Sequence, residues 1–340
     1  MSGKFTIVLL LVSLNIQVQA QSDSSSSLAE LPELGSSMLN DTQNSQRYIQ
    51  IAEKSVDSLS LDNIKSEVVN SITDQGNTIV TSFLSQFFKT VELEMDFTNN
   101  ENPTSSLILI MPLSNPENTK DTFFMQDSVF YNDNRTTVNF GLGYRRLAMN
   151  DTLLLGGNIF YDHEFPYDHA RVGVGIEVMT TAGQIYANHY QSLTNWKNGK
   201  DGFQERGLNG QDIEIGFPLP YMNGTNVFAK AFSWDSEIAS VDDIKGSTFS
   251  IEAAIPTVNG LVVELGQTNY SDSDLKDASF LRISYDFLDG ENTKKRSSPL
   301  FSKHAYKLAT MENYRYKKVR RENRIYKQMK AVGNLTVSGY

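Results

Sequence analysis

The side chains with the widest chemical reach sit in one short stretch: Asp162-His163-Glu164 and Asp168-His169 gather five potential metal ligands around a single hairpin. A metal centre there needs convergent geometry on a loop, and two histidines six residues apart match no helical ligand motif. The stretch therefore reads as a polar external loop. Trp196 and Trp234, with many Tyr and Phe near the ends of apolar runs, could stack on sugar rings. Aromatic girdles at a membrane interface are the commoner cause of that distribution. Gly141-x-Gly143 and Gly173-x-Gly175 lie in alternating stretches with no helix after them, which does not make a phosphate cradle. With no cysteine there is no thiolate chemistry and no disulfide. No Ser/His/Asp arrangement or carboxylate pair stands out from the acidic background. No catalytic residue, metal ligand or cofactor is expected, and the chain does not read as an enzyme.

Charge carries more information than any of these groups. Glu291 to Lys330 holds 13 Lys/Arg against 3 Glu, about +10, whereas residues 21–290 hold 16 Lys/Arg against 37 Asp/Glu, about −21. The net charge of −10 thus hides a basic tail on an acidic body. A basic tail often marks nucleic-acid binding. Met1 to Ala20 argues against that, because Lys4, the apolar run Phe5 to Leu14 and Val18-Gln19-Ala20 form a secretory signal peptide. The acidic body itself is the available partner for the tail.

These charges must be positioned by elements whose period changes along the chain. Residues 21–42 are Ser-rich and polar, the composition of a disordered linker. From 43 to 87 apolar residues recur every three or four positions, with Leu61, Ile64, Val68 and Ile72 on one face, which predicts a small helical segment. After Phe88 the period becomes 2. Val91, Leu93, Met95 and Phe97 alternate with Glu92, Glu94 and Asp96, and Ile213, Ile215 and Phe217 alternate with Asp212, Glu214 and Gly216. Twelve such runs are predicted, near 88–97, 105–113, 122–131, 136–147, 152–161, 170–180, 183–192, 211–219, 225–235, 247–256, 260–268 and 279–288.

Alternation suits a soluble sandwich as well as a transmembrane barrel. Three features favour the barrel. Many runs are about ten residues, the length of a tilted strand crossing hydrocarbon. The strand number is even. Connections after even runs, such as Thr181-Ala182, are mostly short, and those after odd runs, such as Asp162 to His169 and Leu193 to Gly210, are mostly longer. Short periplasmic turns and long external loops are the asymmetry of an outer-membrane barrel. Inward Gly173, Gly175 and Glu177 suit a crowded lumen better than a wide pore.

Val138-Asn-Phe-Gly-Leu-Gly-Tyr-Arg-Arg, Leu155-Gly-Gly-Asn-Ile-Phe-Tyr-Asp-His and Arg171-Val-Gly-Val-Gly-Ile-Glu resemble the β-domain of the intimin/invasin family, the inverse autotransporters. So do Ser192-Leu-Thr-Asn-Trp-Lys, Glu205-Arg-Gly-Leu-Asn-Gly-Gln-Asp-Ile and Pro218-Leu-Pro, in matching order across about 88–330. The resemblance implies an all-β fold: a 12-stranded antiparallel transmembrane β-barrel at 88–288, with its N-terminal segment in the periplasm. It also implies that the basic segment, within 289–340, threads back through the lumen to the surface. Arg315, Lys317, Lys318, Arg320, Arg321 and Arg324 would then contact the lumen wall. A cationic strand in a poorly solvated acidic lumen gains more from charge pairing than it would in bulk water.

In the family the linker leads into a long passenger, and here only Ala331 to Tyr340 follow it, so adhesion is not carried over. The leading expectation is an anchor and translocator threading its own C-terminus outward; the rival is a small diffusion pore or structural barrel. The run Leu281 to Phe287 ends in aromatic-x-aromatic and resembles the terminal-strand signal read by the barrel-assembly machinery. Expected partners are outer-membrane lipid, that machinery, periplasmic chaperones and surface ligands reached through external loops, with no nucleic acid.

Overall fold

The computed structural model describes residues 84–99, 101–271, 275–290, 301, 303–306 and 308–330. The signal-peptide, linker and helical-segment readings fall on residues 1–83, outside the described residues, apart from one helical turn at 84–87. Residues 331–340 also lie outside them.

The strands are β1 Thr90–Thr98, β2 Thr104–Pro112, β3 Asp121–Asn132, β4 Arg135–Ala148, β5 Leu153–Phe165, β6 His169–Thr180 and β7 Gly183–Ser192. Two short strands follow, β8 Lys197–Asn198 and β9 Gln204–Gly207, and then β10 Gly210–Pro218, β11 Thr225–Trp234, β12 Ile244–Ala254, β13 Leu261–Tyr270 and β14 Ala278–Asp286. The last strand is β15, Lys327–Lys330. All but β8, β9 and β15 close into one antiparallel barrel of twelve strands, sealed where β1 pairs with β14 through Met95 opposite Ile283. Closure leaves no strand edge, the condition for a sheet in a medium that offers no hydrogen bonds.

The period of 2 becomes a difference between two faces. Phe123, Phe140, Ile159, Ile176, Ile213, Phe217, Phe249 and Leu265 are exposed on the outside. Such an apolar belt has no stable place in water and suits acyl chains. No helix among the described residues is long and apolar enough to cross a membrane. Inward positions are buried and polar, among them Asn139, Arg145, Asp162, Arg171, Glu177 and Asp212.

Three expectations change. The loop expected at Asp162 to His169 shrinks to residues 166–168, because β5 runs on to Phe165 and β6 begins at His169. The β4–β5 ladder continues through Asn139 opposite Asp162 and Thr137 opposite Glu164. Strong polarity made inward wall resemble loop. Connection lengths also alternate less strictly than expected, with residues 133–134 joining β3 to β4 and residues 113–120 joining β2 to β3. Finally, Trp234 belongs to no girdle. It is 2% exposed and faces inward, its ring 4.5 Å from Tyr326 and 5.3 Å from Tyr190.

The inner wall depends on two glycines in β4. A Cβ on Gly141 would sit 2.2 Å from the Phe160 ring, and one on Gly143 would sit 2.1 Å from the Phe124 ring. Their absence lets both rings lie against the wall, where Phe160 carries the Arg321 guanidinium and Phe124 carries that of Arg145. We call the end bearing residues 193–209 and 235–243 the loop end, and the opposite one the turn end.

Candidate functional site in the barrel lumen

Residues 311–330, here the strap, follow the inner wall from the turn end to the loop end. At the turn end the Met311 N–H donates to the Asp151 carbonyl at 2.7 Å. Its side chain is buried with Leu147, Leu154, Met179, Tyr186 and Phe228. Midway, Val319 packs with Ile108, Ile110, Phe124 and Phe160, and its N–H donates to Gln126 Oε1 at 2.8 Å. At the loop end Tyr326 stacks on Trp234, and β15 pairs with β9, which pairs with β8.

Between these apolar contacts the hold is ionic. Lys318 Nζ lies between Glu92, at 2.5 Å, and Glu94. Arg320 reaches Glu214, Glu252 at 2.9 Å and Glu264 at 3.3 Å, with its guanidinium 3.7 Å above the Phe228 ring. Arg321 donates twice to Asp162, at 2.9 and 2.6 Å. Arg324 pairs with Glu101 at 2.6 Å, and Lys327 with Glu164 at 2.6 Å. Cations and carboxylates taken out of water must find each other, because a buried unpaired charge costs several kcal/mol. Alternation puts the carboxylates on the inner face, and the strap supplies the compensating charge.

The six basic residues singled out in the sequence take different roles. Lys318, Arg320, Arg321 and Arg324 make the pairs above. Among the described residues Arg315 reaches no wall carboxylate; it donates to the Asn118 and Pro116 carbonyls and to Thr122 Oγ1, each at 3.2 Å. Lys317 is exposed, its Nζ 5.0 Å from the Tyr314 ring, and it meets the wall through its carbonyl. Sequence reasoning missed the receiving side: Asp162 and Glu164 taken as loop, and Arg145 and Arg171 not singled out. Their signal was an arginine at an inward position of a strand rich in inward glycine.

The hairpin ligands separate. Asp162, Glu164 and His169 face inward and are buried, while His163 and Asp168 face outward, 3.4 Å apart. Glu164 and His169 instead meet Glu205 of β9, with one ligand atom from each within 4.8 Å of the others. The two carboxylates are already claimed: Arg135 pairs with both at 2.7 Å and Lys327 with Glu164. The trio is an ion-pair hub that ties the 193–209 loop to the rim. Burial works against a charged Glu205. His169 Nε2 at 3.3 Å, the Arg135 fork and the Lys200 N–H outweigh it and draw the carboxyl down to about 2.

A family model described as the inverse autotransporter β-domain matches residues 40–323. The inverse autotransporter adhesin YeeJ of Escherichia coli strain K12 is 26% identical over 64% of this chain and 10% of its own length. Invasin of Yersinia enterocolitica is 31% identical over 46% of this chain and 18% of its own. Intimin of Citrobacter freundii is 24% identical over 79% of this chain and 28% of its own. The chain thus spans less than a third of the length of each of these relatives. A solved structure described under "Unveiling the Mechanism Behind the in-meso Crystallization of Membrane Proteins" aligns with TM-score 0.58 at 22% identity. It covers 72% of this chain and all of that one, a likeness in fold alone.

Proposed function

The chain belongs to the inverse autotransporter β-domain family and is an outer-membrane β-barrel of a Gram-negative bacterium; from that premise we propose that it works as an anchor and translocator. Its turn end faces the periplasm and its loop end the cell surface. The strap carries the C-terminal chain outward through the lumen and then stays as its tether. The observation that supports this reading best is the order of contacts: Met311 at the turn end, Lys318 to Arg321 in the middle, Lys327 to Lys330 at the loop end. The wall offers carboxylates along that route, as a cationic tether needs. The apolar belt takes outer-membrane lipid. Escort by periplasmic chaperones, insertion by the barrel-assembly machinery and ligand contacts through the external loops follow from the same reading.

The absence of cysteine makes the test clean. Lys330→Cys and Ala182→Cys, made separately, are treated in intact cells with a membrane-impermeant maleimide. The expected result is labelling at position 330 without permeabilisation, and at 182 only after the outer membrane is opened. Labelling at 182 alone in intact cells inverts the orientation and overturns the proposal.

A further inference from the structure

The strap's side chains make its ion pairs, but its backbone is held separately. Arg145 NH1 donates to the carbonyls of Tyr314, Arg315 and Lys317 at 3.2, 3.0 and 2.6 Å. Arg171 donates to those of Glu322 and Arg324 at 2.7 and 2.9 Å. Thr90, Asn188 and Asn139 take the carbonyls of Tyr316, Arg320 and Asn323 at 2.7, 3.0 and 3.1 Å. None of these wall donors recognises a strap side chain through these bonds.

Both arginines are also held from the wall side. Glu177 holds Arg145 at 2.5 Å and Asp162 holds Arg171 at 2.7 Å, the four side chains being almost wholly buried. Arg145 lies over the Phe124 ring and Arg171 over that of Tyr190. Each guanidinium is thus charge-compensated and fixed by the wall, with the rest of its planar fork turned toward the lumen. Every amino acid, proline included, carries a main-chain carbonyl, whereas proline lacks the N–H. A grip on carbonyls therefore accepts any sequence.

We propose that the inner wall carries a track for extended polypeptide, in which Arg145 and Arg171 hold main-chain carbonyls of whatever chain occupies the lumen, while the carboxylates that meet Lys318 and Arg320 set the register at which it halts. This rests on the translocator reading and adds what the lumen recognises: first backbone, then charge. A chain in transit is held without regard to its side chains and stops where its cations reach Glu92, Glu94, Glu214 and Glu252.

The test uses the full chain with Lys330→Cys and Gln204→Cys, which stand directly opposite between β15 and β9. Such partners are about 5.5 Å apart, within disulfide span. Disulfide yield reports register, hydrogen exchange of amides 314–324 reports the grip, and heat-modifiable mobility in detergent confirms a folded barrel. With K318Q and R320Q the yield is expected to fall severalfold while the 314–324 amides stay protected. With R145K and R171K, which keep the wall charges but lose the fork, exchange there is expected to rise at least tenfold while the yield is retained. If the folded K318Q/R320Q barrel loses protection along 314–324, the strap is held by its charges and the track is overturned. If the parent cysteine pair forms no disulfide at all in a folded barrel, the translocator reading fails and takes the track with it.

Discussion

Two stretches of one strap are held to one barrel by different means. Among the described residues, no strap residue between Tyr314 and Arg324 joins a ladder; the hold consists of wall side chains on the strap backbone, strap cations on wall carboxylates and carbonyls, and the apolar seat of Val319. From Lys327 to Lys330 the hold is a ladder with Gln204–Gly207. In a closed barrel the strands pair with each other all the way round, so a chain crossing the lumen can be gripped only by side chains. Above the rim the loop strand β9 has an open edge, and backbone pairing becomes available. The lumen can thus combine tolerance of sequence with one preferred register, and the exit can lock that register.

The largest effect is expected from Arg320→Ala, which strips the strap's cation from Glu214, Glu252 and Glu264. Removing one partner of a buried pair costs about 3–5 kcal/mol. Denaturant unfolding in detergent should show a loss of that order, with the β15–β9 ladder loosened as a consequence. A loss below about 1 kcal/mol would mean that water already screens the mid-lumen. Next is Gly143→Val, which drives side-chain atoms into the Phe124 ring beneath Arg145. Overpacking of this kind costs about 1–3 kcal/mol, and exchange of the 314–317 amides should rise with it.

The exit is broken more locally. The Leu208 N–H donates to the Tyr326 carbonyl at 2.8 Å, so strand alternation points the Gln328 N–H at Arg206. Gln328→Pro removes that donor and, with it, the side-chain bonds to Ser236 Oγ and the Glu237 N–H, at about 1 kcal/mol each. Hydrogen exchange should quicken at 204–207 and 327–330, with the mid-lumen amides unchanged. Exchange at 204–207 left as it was would contradict the register.

The smallest effect is confined to acid. The Glu205 carboxyl is held at about 2, below its usual 4.5. Its contribution is fully present above pH about 4.5 and is lost as pH falls through about 2. Proteolysis of the 193–209 loop should therefore be unchanged between pH 7 and pH 5 and accelerate only toward pH 2. Loosening already complete at pH 4 would show that the Arg135 fork does not set this group.

Much of the fold was legible because lipid imposes its demand locally: every second residue must be apolar wherever a strand crosses. Val172 to Val178 carries that mark without reference to any neighbour. The inner face carries no such local mark. Asp162 and Glu164 looked like loop because polar wall and polar loop have the same composition, and only the continuing β4–β5 ladder separates them. Trp234 looked like girdle because an aromatic at a strand end serves either face. The basic strap was legible as charge, but the partner of each cation was set by register across the barrel, as when Arg320 gathers carboxylates from β10, β12 and β13. Arg145 and Arg171 were hidden because a donor to backbone leaves no complementary residue in the sequence to match.

The most direct measurement is planar-bilayer conductance of the full chain beside a chain ended near Asp289, with heat-modifiable mobility confirming both barrels. A strap that occupies the lumen predicts low conductance for the full chain and a large rise on truncation. Equal, high conductance in both would contradict the account and make the barrel a diffusion pore.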